Sequence, residues 1–317
     1  IGAVGSMMSL LRHAILPNLV QTSEGQPVFV HTGPFGNIAH GCSSVIADQI
    51  ALQYADYVLT EAGFGADLGF EKYMHIKARF HNLEPSAVVL VVSIRALKSH
   101  GGVKFSHLDK IDEEAVQQGM PNLEHLVKMI GSFGLPVVVA INKFTSDSEK
   151  EIEIVKKGSE AAGAFAAIEI DVFKKGGQGA IELAQTLVSV TTGEDPDVTY
   201  LYETESSIKD KVLALAQKVY GAEKVRWSAL AERKLRTYTN LGWDKLPICM
   251  AKTHLSLSHN PRLKGKPSNY VFQVSDIRAS LGAGFLYPVA GNIVTMPGLP
   301  GSPRRLDVDD EGRVIGL

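Results

Sequence analysis

Three stretches of the chain set acids, imidazoles or strong cations beside glycines where an apolar run ends, an arrangement from which α/β proteins build anion and phosphate sites. Tyr57-Val58-Leu59-Thr60 reads as a strand that delivers Glu61, with Gly63 two positions later. An acid there can sit near a metal, and the glycine lets a terminal phosphate approach the backbone. His31-Thr32-Gly33-Pro34-Phe35-Gly36-Asn37-Ile38-Ala39-His40-Gly41 gathers two imidazoles, an amide and small residues between a strand-like run and a helix. Backbone N–H groups and a helix start there favour an anion, although the glycines and proline would equally serve to bend the chain while His31 and His40 hydrogen-bond locally. Ile94-Arg95-Ala96-Leu97-Lys98-Ser99-His100-Gly101-Gly102 offers three basic or potentially basic side chains, suited to a phosphate or carboxylate. A solvated Arg/Lys pair on a surface loop is the plain alternative.

A fourth stretch, Val137-Val138-Val139-Ala140-Ile141-Asn142-Lys143 followed by Phe144 and Asp147, resembles the base-reading Asn-Lys motif of P-loop GTPases. It and Glu61 both fall at C-terminal strand ends, where open α/β sheets bind ligands. The phosphate-cradling GxxxxGK[ST] pattern does not occur, and the one Gly-Lys pair, Gly265-Lys266, is followed by Pro267. These residues alone are therefore not expected to cradle a triphosphate. Glycines 63, 65 and 69 imitate a dinucleotide fingerprint, but their GxGxxxG spacing and the position of their strand exclude the Rossmann reading.

Hydrophobic periodicity supplies the elements that must hold these residues. Residues 27–31, 57–60, 87–94 and 135–141 are β-rich runs, with helical spacing over 43–54 and 122–133. Continuous apolar strands alternating with helices require a parallel sheet covered on both faces. Residues 6–19 read as the end of a helix, 147–162 as a helix, 165–172 as a strand, 180–190 as a helix and 191–198 as a linker. Helices near 207–219 and 229–241 precede a β-rich tail from residue 246. The expected fold class is α/β: the remainder of a P-loop NTPase-like parallel-sheet domain (1–122), a second α/β domain (123–217) and a small α+β C-terminal domain (218–317).

Composition narrows the functional classes. With 317 residues, 45% hydrophobic and 21% charged, the chain can bury two or three cores. A net charge of −2 gives no overall positive field for nucleic acid or an anionic membrane. Cys42 and Cys249 lack metal-ligand spacing, which fits a cytoplasmic protein best, although a mitochondrial matrix would leave the same trace. No apolar run approaches the roughly 18 to 20 residues that span a bilayer. The opening at Ile1 reads as a break rather than a natural start.

Together, the His31 to Gly41 and Ile94 to Gly102 words and Thr60-Glu61-Ala62-Gly63-Phe64-Gly65-Ala66-Asp67-Leu68-Gly69 resemble the formate–tetrahydrofolate ligase family. Leu246-Pro247-Ile248-Cys249-Met250-Ala251-Lys252-Thr253 and Thr295-Met296-Pro297-Gly298-Leu299-Pro300 match too, so the likeness runs the length of the chain. The resemblance implies an ATP-dependent ligase that uses Mg2+ and formate to make formyl phosphate and passes the formyl group to N10 of tetrahydrofolate. It further implies 10-formyltetrahydrofolate, ADP and phosphate as products, an activating monovalent cation, a homotetramer, and a phosphate-holding segment of the same subunit upstream of Ile1. Formate is inert toward an amine until phosphorylation supplies a leaving group, so the protein must shield the acyl phosphate and aim N10 at it.

The resemblance places the pterin between Phe144 and Phe173, the latter where the family generally has tryptophan, with Thr145 where proline is frequent. Core packing is the plain fate of both phenylalanines. By position and charge, Glu61, Arg95 and Lys98 are the catalytic candidates, and Phe64 and Gly65 join Phe144, Thr145 and Phe173 around the substrates. His31, Gly33, Pro34, Asn37, His40, Asn142 and Lys143 are expected on the nucleotide side, and no metal ligand is assigned. A non-catalytic folate- or nucleotide-binding module, or a subunit that only supports oligomerisation, is the alternative of a different class. A P-loop GTPase of unrelated activity stands third.

Overall fold

The structure, a computed structural model, describes residues 2–33, 38–291, 293, 307–309 and 314–315. Helix α1 (Val4–Leu11) leads to an antiparallel hairpin of β1 (Asn18–Gln21) and β2 (Pro27–Val30). Helix α2 (Val45–Tyr54) follows, its first turn closed by the Ser44 hydroxyl accepting from Ala47 N. Two π-helical turns, Gly65–Phe70 and Tyr73–Ala78, run into the short α3 (Arg79–His81). Next come β3 (Val88–Val92), α4 (Ile94–His100), α5 (Glu113–Gly131), β4 (Val137–Asn142), α6 (Glu149–Ala161) and β5 (Ala166–Ile170). The chain continues through α7 (Val172–Lys175), α8 (Ile181–Val190), α9 (Ile208–Lys218), β6 (Lys224–Trp227), α10 (Ala229–Asn240), β7 (Val271–Ser280) and β8 (Phe285–Ala290). A two-residue ladder of β9 (Asp307–Val308) and β10 (Val314–Ile315) ends the description.

The strands β3, β4 and β5 form a parallel sheet in that order, so the α/β expectation holds for this part of the chain. The β-branched run of β4 is buried on both faces, as a central parallel strand must be. A second sheet, β6-β7-β8, is mixed: β6 runs parallel to β7 and β8 antiparallel to it. One apolar core spans both sheets, including Val139, Ile141 and Phe133 together with Leu215, Phe272 and Leu286.

Several elements differ from the sequence reading, each for a physical reason. Residues 57–60 form no strand, because an extended run needs a hydrogen-bonding neighbour and none pairs with it among the described residues; Tyr57 and Leu59 are left exposed. Strand β2 pairs with β1 instead of entering the parallel sheet, and Leu19 lies in β1 and not in the opening helix. Helix α5 begins nine residues before residue 122 and continues through Pro121, with Val116 and Met120 on one side of the proline and Leu123 and Val127 on the other all buried. The expected boundary between residues 122 and 123 therefore falls inside α5. The Arg95 word is a helix that starts directly at the end of β3, capped by Ser93.

Helices α4 and α5 approach backbone to backbone. A Cβ at Gly119 would overlap the Leu97 carbonyl oxygen, and one at Gly101 the Ala115 carbonyl oxygen. Overpacking generally destabilises by about 1–3 kcal/mol, against roughly 1 kcal/mol of helix propensity gained by Gly→Ala. Because the Gly119 overlap is with backbone, which cannot swing aside, the upper part of that range applies, and Gly119→Ala is expected to lower stability by about 1–2 kcal/mol in denaturant titrations. An unchanged midpoint would mean the two helices part freely, contrary to this contact. Among the described residues no helix is long and apolar enough to cross a membrane.

Candidate functional site

The C-terminal ends of β4 and β5 carry the two phenylalanines. Asn142 is in register with Ile170, so Phe144 and Phe173 leave adjacent strands at the same edge of the sheet. Phe144 is held by a tight turn: its N–H donates to Asp147 Oδ2 at 2.8 Å, and Asp147 N–H donates to the Phe144 carbonyl at 3.1 Å. Burial raises the Asp147 carboxyl above the usual range, a shift opposed by the bond from Phe144 N–H. Phe144 remains 40% exposed.

Arg95, in the first turn of α4, brings its guanidinium carbon to 5.5 Å from the centre of the Phe144 ring. Its Nη2 pairs with Asp109 Oδ1 at 3.1 Å. At a half-exposed site such a cation–π contact contributes about 0.5–1 kcal/mol and fixes the orientation of both groups. Beside them opens a cleft of about 300 Å³, walled by Leu90 and Val92 of β3, Asn122 and Leu126 of α5, and Asn142 and Phe144. Apolar walls with a few amides, next to an aromatic face and a cation, suit a flat heterocycle with an anionic neighbour.

Lys98, expected to stabilise an anion, does not line this cleft. It is fully buried, with Nζ 2.7 Å from Glu151 Oε1 and donating to the carbonyls of Lys110 (2.8 Å) and Leu108 (3.4 Å). It pins the loop after α4 to α6. Lys143 is held between Glu149 (2.7 Å) and Glu169 (2.9 Å), whose hydrogen bonds raise its pKa. With Lys143 paired and Asp147 closing the Phe144 turn, the Asn-Lys likeness to a GTPase base reader has a local structural explanation. Thr145 is exposed beside Phe144.

A second group forms where two of the sequence words meet. Gly41, Gly63 and Gly69 pack backbone against backbone: a Cβ on Gly63 would lie 3.2 Å from the Gly41 carbonyl oxygen and 3.3 Å from Gly69 Cα. Gly63 has φ +79°, which favours glycine there. Gly65 opens the following π-helical turn, and Phe64 stands edge-on to His254 with ring centres 6.0 Å apart. Asp67 of that turn is bound to the fully buried Lys252 at 2.7 Å. His40 Nδ1 accepts from Cys42 N–H, and burial, with Lys77 and Lys72 nearby, lowers its pKa. Burial pushes the Cys42 thiol up to about 12, so it is no nucleophile. Glu61 is exposed, and among the described residues no hydrogen bond or ion pair joins it to Arg95.

His31 takes the local role that its word allowed. Its Nδ1 bonds the Ser44 hydroxyl at 2.7 Å and its Nε2 the Ala14 carbonyl at 2.8 Å, tying the hairpin to α2. Gly33 is exposed, while Pro34 and Asn37 lie outside the described residues, as does the 295–300 word. Phe173 is 94% exposed. Just beyond it, Gly177 N–H donates to Glu24 Oε1 of the hairpin at 2.6 Å.

Sequence reasoning missed Asn122 and the Asp67–Lys252 pair, and named His100 only as one potential cation of the Arg95 word. An asparagine on the apolar stripe of a helix was the available signal for Asn122; the lysine of the 246–253 word has no sequence signal for its partner.

By fold and site, the molecule is an α/β protein with a ligand-sized cleft at the C-terminal edge of a parallel sheet. A family model described as formate–tetrahydrofolate ligase matches residues 1–317. The chain is 50% identical over 325 residues to a formate–tetrahydrofolate ligase of Desulforamulus reducens, covering 99% of this chain and 57% of that relative. It is 49% identical over 327 residues to one of Roseiflexus castenholzii, with the same coverage. The chain belongs to the formate–tetrahydrofolate ligase family, and it spans 57% of the length of these curated relatives.

Proposed function

We propose that this chain supplies the folate platform of an ATP-dependent formate–tetrahydrofolate ligase that forms 10-formyltetrahydrofolate, ADP and phosphate. The observation that carries the reading is Arg95 standing over the exposed ring of Phe144, a residue that lines an apolar cleft. The pterin stacks on Phe144, with Phe173 at the neighbouring strand end as the second face and Thr145 at the rim. The guanidinium is then aimed at negative charge next to the ring. Oxygens of an activated formyl group carry such charge, and a preoriented cation stabilises it where it develops. Glu61, Phe64 and Gly65, in and beside the glycine-packed group, would wall the formyl side, with His40 toward the nucleotide.

ATP with Mg2+ belongs to this reading through the family, but the residues here do not fit it by themselves. The GxxxxGK[ST] pattern does not occur, and among the described residues no three His, Cys, Asp or Glu side chains gather to hold a metal ion. No phosphoryl step is therefore derived from them. A monovalent cation, a tetrameric assembly, a further segment of the same subunit and a cytoplasmic setting complete the proposal.

Two measurements test it. Tetrahydrofolate titrated calorimetrically into the folded chain is expected to saturate one site, and absence of saturable binding would end the reading. In a complete subunit, Arg95→Ala is expected to slow formyl transfer more than tenfold, equal to about 1.4 kcal/mol or more of barrier. Tetrahydrofolate bound as tightly as by the unaltered chain, with no formyl transfer in any complete subunit, would favour a non-catalytic folate-binding module.

A further inference from the structure

We propose that His100 donates a hydrogen bond to the substrate in this cleft, its imidazole fixed in one tautomer by the peptide of Gly265. The inference rests on the cleft being the substrate site, and it gives a specific role to a residue that the sequence grouped with Arg95 and Lys98 only as a potential cation.

His100 is the last residue of α4 and lines the cleft together with Asn122, Asn142 and Phe144. Gly265, from the C-terminal third of the chain, is gripped on both sides by cleft residues. Its N–H donates to His100 Nδ1 at 3.1 Å, and its carbonyl accepts from Asn122 Nδ2 at 2.9 Å. Gly265 has φ +67°, a conformation that L side chains rarely adopt, and it turns the Lys264–Lys266 loop onto the cleft wall.

The chemistry follows from the direction of the first bond. A backbone N–H can only donate, so Nδ1 must offer its lone pair, and the ring proton of the neutral imidazole sits on Nε2. Doubly protonated imidazole would set Nδ1–H against Gly265 N–H. Burial lowers the His100 pKa, Lys264 adds to the effect, and Asp67 opposes it. Among the described residues Nε2–H has no partner of its own. A neutral donor lining a cleft walled by Leu90, Leu97 and Leu126 can meet an acceptor placed there.

Arg95 and His100 thus divide the work by charge. The guanidinium beside the Phe144 ring addresses an anion, while the imidazole at the other end of the same helix, lining the cleft, addresses an uncharged or weakly charged acceptor. Two parts of the reactants carry such an acceptor: the oxo and ring-nitrogen atoms of the reduced pterin, and the oxygens of formate or phosphate. The plain alternative is that His100 serves only as a peg for the Gly265 loop.

Nitrogen-15 NMR of the histidine-labelled chain separates these readings. In the free protein His100 is expected as the Nε2–H tautomer. Saturating tetrahydrofolate should shift its Nε2 resonance while leaving that of His31, whose two ring nitrogens are already engaged. A shift with formate or inorganic phosphate but not with tetrahydrofolate would also support the donor role and assign the acceptor to those oxygens. In calorimetry His100→Ala should weaken the responsive ligand about five- to tenfold, the worth of one hydrogen bond, and His100→Gln, which keeps an N–H donor, should stay within about threefold of the unaltered chain. An Nδ1–H tautomer, or an Nε2 signal that no ligand moves although tetrahydrofolate binds and Phe144→Ala loses it, overturns the proposal and leaves His100 a peg. Failure of the unaltered folded chain to bind tetrahydrofolate would instead remove the cleft reading, and this inference with it.

Discussion

Phe144→Ala is expected to weaken tetrahydrofolate binding about thirtyfold, roughly 2 kcal/mol, in calorimetric titration of the folded chain. The figure joins the apolar area that a pterin would cover on the ring to the smaller stacking contribution of an aromatic pair. The position is preorganised: the Asp147 turn fixes its backbone and Arg95 backs its face, so little freedom is lost on binding. Phe173 has no such support, being 94% exposed, and must be ordered by the ligand. Phe173→Ala should therefore weaken binding by several-fold less than Phe144→Ala. Equal losses would point to a sandwich already closed before binding, and unchanged affinity for Phe144→Ala would put the pterin elsewhere.

The contrast between these two phenylalanines shows what could be read without coordinates. The strand that ends in Asn142 was legible because five consecutive apolar, mostly β-branched residues can be buried on both faces only in the middle of a sheet. The family likeness then named Phe144 and Phe173, and strand register explains why they share an edge. What could not be read was partner choice. Nothing in Lys98 itself says that it meets Glu151, 53 positions away, and not an anion; charge was visible and burial was not. Residues 57–60 have strand composition, but composition does not supply a neighbour, and the run stays unpaired among the described residues. The helix read over 122–133 was only the second half of α5, because tertiary packing on both sides of Pro121 outweighs its local cost. The peptide of Gly265 touching His100 joins residues 165 positions apart, a contact no local pattern announces.

Lys98→Met should lower stability by about 3 kcal/mol or more in denaturant unfolding, because it leaves the Glu151 carboxylate buried without its cation. Removing both members, as Lys98→Met with Glu151→Met, should recover part of that loss, since desolvation of two ions largely offsets their attraction. Recovery will be incomplete: Glu151 also accepts from Asp112 N–H at 2.9 Å and from the N–H and hydroxyl of Ser148, so it caps α6 as well as pairing with Lys98. Burial pushes the Glu151 carboxyl upward, but the bonds from Asp112, Lys98 and Ser148 outweigh it and hold the folded pKa below the ordinary glutamate value. A depressed folded pKa means the unfolded chain binds the proton more readily. The stabilisation is thus complete above the ordinary glutamate pKa of about 4.3 and disappears as pH falls through the lower folded value. In Lys98→Met that acid limb should move to higher pH, because the cation's share of the depression is gone; an unshifted limb would detach Glu151 from Lys98. Lys98 lies between Arg95 and His100 on a helix of seven residues, so an intact pair also sets where both of those side chains stand. Any loss of tetrahydrofolate affinity in Lys98→Met should accordingly appear without a change in the cleft's own residues, as the signature of a displaced α4.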